Sequence, residues 1–123
     1  MTFDNLTTEI DIGIDAAKTA GKSLLENKEE LNTKILISSK DIKLRADVTS
    51  EDIIKRIITS NSNYPILAEE SGKSIENLGH IFWVVDPLDG TANYNRDIPI
   101  CCVSIGLFNK MKPVAGIIYD FIN

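Results

Sequence analysis

Two carboxylates, Asp86 and Asp89, stand where the apolar run Ile81-Phe-Trp-Val-Val85 breaks into the turn-rich stretch Asp-Pro-Leu-Asp-Gly-Thr-Ala-Asn93. No Lys or Arg lies between Ile81 and Asn93 to neutralise them. Carboxylates gathered at the mouth of a buried strand repel one another unless positive charge comes between them, and a hard divalent cation suits oxygen ligands best. Two further acidic segments adjoin apolar stretches, Ala68-Glu69-Glu70-Ser71 and Val48-Thr49-Ser50-Glu51-Asp52. Pro87 restricts the backbone between the aspartates, and Gly90 permits a conformation or a close approach that a side chain blocks. Thr91-Ala92-Asn93 can open a short helix with free N–H groups facing an anion such as phosphate. A plain turn is the competing reading, because Asp-Pro and Asp-Gly pairs are common turn formers. The spacing excludes an EF-hand loop. It also excludes the Asp-x-Asp-Gly-Thr arrangement of aspartyl-nucleophile phosphatases.

These acids need elements to hold them. Thr8 with Asp11 resembles a capping box, and Ile10, Ile14, Ala17, Leu24 and Leu25 follow at helical spacing. This predicts one long helix from about Thr7 to Glu29, with Gly21 as its weak spot. Lys34 to Ile37 is strand-like, with Ser38 to Asp41 as a polar hairpin tip. Thr49 with Asp52 predicts the start of a second helix carrying Ile53, Ile54, Ile57 and Ile58 and ending near Ser60. Pro65 to Ala68 and Ile81 to Val85 read as buried strands, and Lys73 to His80 as a polar loop. Ile100 to Phe108 and Val114 to Tyr119 read as a hairpin around Asn109 to Pro113. Helices precede a mostly antiparallel sheet, which makes the fold class α+β.

The chain has 123 residues, one domain's worth, and no repeat or linker. With 18 acidic against 13 basic residues it carries a net charge of −5, which offers no footprint for nucleic acid and argues against an anionic membrane surface. No apolar run reaches the roughly 18 residues that span a bilayer, and the N-terminus lacks signal-peptide character. Cys101 and Cys102 are neighbours on a predicted strand, which points them to opposite faces, so they are expected as reduced thiols of a cytoplasmic protein. His80, the single histidine, is expected in a loop and gives neither thiol a catalytic partner.

Trp83-Val-Val-Asp86-Pro-Leu-Asp89-Gly-Thr91-Ala-Asn93-Tyr94, followed by Val103-Ser-Ile-Gly106, resembles the signature of the inositol monophosphatase family. Ala68-Glu69-Glu70-Ser71 is similar to that family's Gly-Glu-Glu-Ser motif, with Ala for Gly, and Val48 to Asp52 to its Val-Thr-x-x-Asp motif. The resemblance covers nearly the whole chain, with the motifs in order. It implies the N-terminal half of a layered αβαβα sugar-phosphatase fold. It also implies hydrolysis of a phosphate monoester by Mg²⁺-activated water, on inositol monophosphate or a similar polyol or sugar phosphate. Glu69, Asp86, Asp89 and the Leu88 carbonyl are then the expected metal ligands, with Glu69 also counted in the catalytic set. Asp89, Gly90 and Thr91 are expected at the phosphate, and Thr91 with Asp52 at the attacking water. Glu70 is expected beside the ligands rather than among them. A basic residue on the hairpin near the metals corresponds to Lys40 or Lys43. Family members are much longer, are expected to be homodimers, and carry a Trp-Asp-x-Ala motif that this sequence lacks. The 123-residue chain is therefore expected to turn over little. Two alternatives stand beside this one: a 3′(2′),5′-bisphosphate nucleotidase type of phosphatase, and a non-catalytic metal-binding or interaction module.

Overall fold

The computed structural model describes residues 6–37 and 42–123. Helix α1 (Thr7–Glu26) is followed, across Asn27, by the single turn α2 (Lys28–Leu31). The one long helix expected to Glu29 is thus broken at Asn27. The hairpin β1 (Lys34–Ile37) and β2 (Ile42–Leu44) comes next, and its expected tip, Ser38 to Asp41, lies outside the described residues. Helix α3 (Arg45–Asn61) leads into β3 (Ile66–Ala68), β4 (Gly72–Lys73) and the long strand β5 (Ile81–Asp89). A single helical turn, α4 (Thr91–Asn95), then precedes the hairpin β6 (Cys102–Asn109) and β7 (Lys112–Tyr119).

The main sheet has the order β4-β3-β5-β6-β7, with β3 parallel to β5 and every other pair antiparallel. This is the expected α+β arrangement. Trp83, Val85, Val103, Ile105 and Leu107 point to one face of the sheet and are buried there with α1 and α3. The Trp83 indole N–H donates to Ser62 Oγ at 3.1 Å, so the largest core residue also has its polar atom satisfied. The β6–β7 turn places Lys110 and Met111 at φ 51° and 66°, the two-residue hairpin geometry usually given to Asn-Gly. None of the described helices is long and apolar enough to cross a membrane.

The buried stripe of α1 is not the expected one. Ile10, Ile14 and Leu25 are exposed, and the helix instead buries Gly13, Ala16, Ala17, Ala20, Gly21 and Leu24. Small residues let the helix axis come close to the sheet, so packing distance outweighs side-chain hydrophobicity in choosing the face. Gly21 is a close-approach residue rather than a weak spot, since a Cβ there meets the Tyr119 ring at 2.6 Å and Phe121 Cβ at 2.9 Å. An exposed helical Gly→Ala change stabilises by about 1 kcal/mol. Gly21→Ala is expected to do the reverse, costing about 1–2 kcal/mol through overpacking, read as a lowered urea midpoint.

Candidate active site

The two aspartates share a face because of a bulge. Residues three apart on a regular strand point to opposite faces. In the β5–β6 ladder Asp86 lies opposite Ser104 and Asp89 opposite Cys102, so three steps on β5 match two on β6. One extra residue resets the alternation and returns both carboxylates to the same face. Pro87, which offers the ladder no N–H, lies in this bulge, and its carbonyl accepts a hydrogen bond from Ser50 Oγ at 2.7 Å. Beyond it, Gly90 adopts φ 95° at the entry to α4, and a Cβ there meets the Ile100 carbonyl oxygen at 2.8 Å. Both the backbone angle and the space demand glycine.

Five acids and one lysine surround a cavity of about 540 Å³: Asp47, Glu69, Glu70, Asp86, Asp89 and Lys43. Leu88, Gly90 and Thr91 also line it. The Thr91 hydroxyl donates to Asp47 Oδ1 at 2.8 Å and lies 3.2 Å from the Leu88 carbonyl. The single hydroxyl proton favours the shorter, charge-assisted bond. Asp47 Oδ2 accepts the Leu44 backbone N–H at 2.8 Å, the half of a capping box that a leucine N-cap permits. Burial pushes the Asp47 carboxyl above the usual aspartate range, against the opposing hydrogen bonds from Leu44 and Thr91. A carboxylate so placed is a better proton acceptor than an exposed one.

Lys43 pairs with Glu70 Oε2 at 2.8 Å, and that bond holds the ammonium above its ordinary range. Of the two hairpin lysines, Lys43 therefore lines the cavity, while Lys40 lies outside the described residues. Glu70 stands beside Glu69 with a partner of its own.

Asp52, expected at the attacking water, is exposed and does not line the cavity. Helix α3 begins at Arg45, four residues before the expected Thr49 cap, so Asp52 falls on its outer side. The acid beside Thr91 is Asp47. Sequence reasoning missed Asp47, Ser50 and Glu51, the three buried polar or charged side chains among the described residues, at 2%, 1% and 3% exposure. A signal existed: residues 47, 50 and 51 share a helical face with the buried Ile54 and Ile58, provided the helix is started early enough.

Among the described residues no three acids stand in a preformed ligating geometry. The donor set nonetheless suits a hard cation. Asp86 Oδ1 is buried with no hydrogen-bond partner. Glu69 is pushed up to about 8, first by the hydrogen bond it shares with Asp86, then by burial and the charges of Asp86, Glu70 and Asp47. Repulsion is relieved by a shared proton where a cation could serve. The ligands on offer are oxygen alone, as Mg²⁺ prefers.

The sign of the pH dependence follows. Glu69 titrates near 4.5 when unfolded and near 8 when folded, so between those values the folded chain holds a proton that the unfolded chain has released. The stabilisation is complete below pH 4.5 and is lost as pH rises through about 8. The upward shift of Asp47 acts in the same direction. Melting curves in chelator at low salt are expected to show a higher midpoint at pH 5 than at pH 8.5, with added Mg²⁺ raising the latter. Equal midpoints with and without Mg²⁺ at pH 8.5 contradict the expectation.

The family model for the inositol monophosphatase family matches residues 5–123. The chain is 36% identical over 114 residues to Nus factor SuhB of Xylella fastidiosa, covering 90% of this chain and 41% of that protein. It is 35% identical over 120 residues to inositol-1-monophosphatase of Synechocystis sp., covering 94% and 41%. Among solved structures, the extragenic suppressor protein SuhB of Bartonella henselae aligns with TM-score 0.82 and 36% identity, over 93% of this chain and 44% of that one. The inositol monophosphatase of Anabaena (Nostoc) aligns with TM-score 0.79 and 39% identity, over 95% and 41%. The chain spans less than half the length of these relatives.

Proposed function

Since the chain belongs to the inositol monophosphatase family, we propose that it forms the metal- and phosphate-binding part of a Mg²⁺-dependent phosphatase of small monoesters. Inositol monophosphate or a similar polyol or sugar phosphate is the substrate class. The observation that carries this reading is the Asp47–Thr91 hydrogen bond, set in the same cavity wall as the unpartnered Asp86 oxygen. In this reading Glu69, Asp86, Asp89 and the Leu88 carbonyl hold the Mg²⁺. When bound, the metal supplies the charge that neutralises these acids and a water of lowered pKa.

The chain's own groups do the rest. With its O–H donated to Asp47, the Thr91 oxygen keeps lone pairs for the attacking water, and Asp47 is placed to accept the Thr91 proton as Thr91 takes one from that water. The Leu88 carbonyl, at the longer distance from Thr91, keeps a lone pair for a cation. Gly90 lets the backbone approach the phosphate without a side chain intervening. Lys43, though engaged by Glu70, is the one cation lining the cavity among the described residues and lessens the repulsion that an incoming anion meets. The free thiols Cys101 and Cys102 support a reducing, cytoplasmic setting.

Calorimetry with Mg²⁺ and phosphate release from inositol 1-phosphate test the proposal together. Mg²⁺ is expected to bind the 123-residue chain. Turnover is expected to be slight on its own, since the sequence holds no Trp-Asp pair to supply the further ligand that the family resemblance implies. A protein containing this segment at the length of its relatives is expected to release phosphate only with Mg²⁺. Metal-independent release, or no Mg²⁺ binding, overturns the reading.

A further inference from the structure

Helix α3 enters the core with an unusual stripe. After Ala46 its buried positions are Asp47, Ser50 and Glu51, and only the next turns supply Ile54 and Ile58. A buried carboxylate or hydroxyl without a partner is costly, so each of these side chains should have one. Each does, and each partner lies in a different piece of the site. Asp47 receives Thr91 Oγ1, Ser50 donates to the Pro87 carbonyl at 2.7 Å, and Glu51 Oε1 receives the Glu70 backbone N–H at 2.8 Å.

The last two bonds reach the backbone at informative points. Pro87 lies in the bulge that returns Asp86 and Asp89 to one face of β5. Glu70 follows Glu69 directly, where the chain leaves β3. The Glu69 N–H donates to the Val85 carbonyl at 3.2 Å, so one side of this loop is tied to β5 and the other to α3. Neither Ser50 nor Glu51 lines the cavity. Glu51 acts through the backbone of Glu70, which does line it, and Ser50 through that of Pro87, which joins the lining residues Asp86 and Leu88.

We infer that Ser50 and Glu51 are positioning residues: one buried turn of α3 clamps the β5 bulge and the β3–β4 loop, and so holds Asp86, Asp89 and Glu69 in register with the Asp47–Thr91 pair. The inference rests on the metal-site reading above. Helix α3 then sets the spacing of the cation ligands without supplying one. A helix is a stiffer mount than a loop, and small displacements of ligands that a bound ion must reach together weaken binding strongly.

The test is Mg²⁺ calorimetry on the 123-residue chain and on three variants, with melting curves to report folding. Ser50→Ala removes the bond to Pro87, Glu51→Ala the bond to Glu70, and Glu51→Gln keeps an acceptor for the Glu70 amide while removing the charge. Both alanine variants are expected to weaken Mg²⁺ by about tenfold or more, the range found when supports of metal ligands are removed. Glu51→Gln is expected to recover most of the affinity, staying within about threefold of the parent. Hydrogen exchange at the Glu70 amide should quicken in Glu51→Ala and not in Glu51→Gln.

If Glu51→Gln is as weak as Glu51→Ala, charge rather than position is at work and the inference fails. It fails equally if folded Ser50→Ala binds Mg²⁺ as the parent does. Should Glu51→Ala not fold, Ser50→Ala and Glu51→Gln decide by the same criteria. A parent chain that binds no Mg²⁺ is a different result: it overturns the metal-site reading itself, and this inference with it.

Discussion

Asp86→Asn is expected to abolish detectable Mg²⁺ binding while making the metal-free chain more stable at pH 8. Losing a support of a ligand costs about 10- to 100-fold in metal affinity, so losing a ligand should exceed about 100-fold. The gain in stability has a separate origin. Asp86 Oδ1 is buried without a partner, and its neighbour Glu69 relieves the repulsion by holding a proton up to about pH 8. An amide at position 86 brings its own N–H donor to the Glu69 carboxylate, so the proton no longer has to come from solution. The midpoint at pH 8 should rise by a few degrees, equivalent to about 1 kcal/mol, and the fall in stability between pH 5 and pH 8.5 should flatten. Calorimetry and paired melts measure both effects. An Asp86→Asn variant that binds Mg²⁺ as tightly as the parent, or melts lower at pH 8, contradicts the account.

The second large effect separates two aspartates five residues apart. Asp47→Ala leaves two donors without their acceptor, the Thr91 hydroxyl and the Leu44 amide. Each such orphan costs about 1–3 kcal/mol. Part of that is offset because the desolvation penalty of Asp47 disappears with it. A net loss of about 2 kcal/mol is expected by urea denaturation. Asp52→Ala, at an exposed helical position, should stay within about 0.5 kcal/mol. In a protein of family length that turns over, Asp47→Asn should lower kcat by about 100-fold or more, the scale of losing a proton acceptor. Asp52→Asn should leave kcat nearly unchanged. The reverse ranking would return the role beside Thr91 to Asp52.

The confusion between these residues has a physical source. Val48-Thr49-Ser50-Glu51-Asp52 carries strong capping residues, and local propensity starts the helix at Thr49. The structure starts it at Arg45, because the Asp47 carboxylate binds the Leu44 amide from inside the first turn and finds its second partner in Thr91, 44 residues along the chain. A tertiary hydrogen bond thus overrode a local one. The same kind of error affected α1, where helical periodicity favoured the large residues Ile10, Ile14 and Leu25. Close packing of Gly13 against Trp83 and Ile117 and of Gly21 against Tyr119 selected the small-residue face instead, burying Ala16, Ala17 and Ala20 with it. Periodicity reports that a face exists, but contact distance decides which one is buried.

From the order of residues alone came the α+β class, every strand of the main sheet except the short β4, the hairpin of β6 and β7, and the acidic segments at Glu69 and at Asp86 to Asp89. These follow from period-two patterning, turn chemistry and clustered charge, which act over a few residues and are written in composition. The convergence of those segments was settled in three dimensions. A β-bulge placed Asp86 and Asp89 on one face, and the buried turn of α3 tied Asp47 to Thr91, Ser50 to the bulge at Pro87 and Glu51 to the loop at Glu70. Each of these outcomes depends on pairing between residues 13 to 44 positions apart, and local pattern carries no information about which distant partner a buried polar group will find.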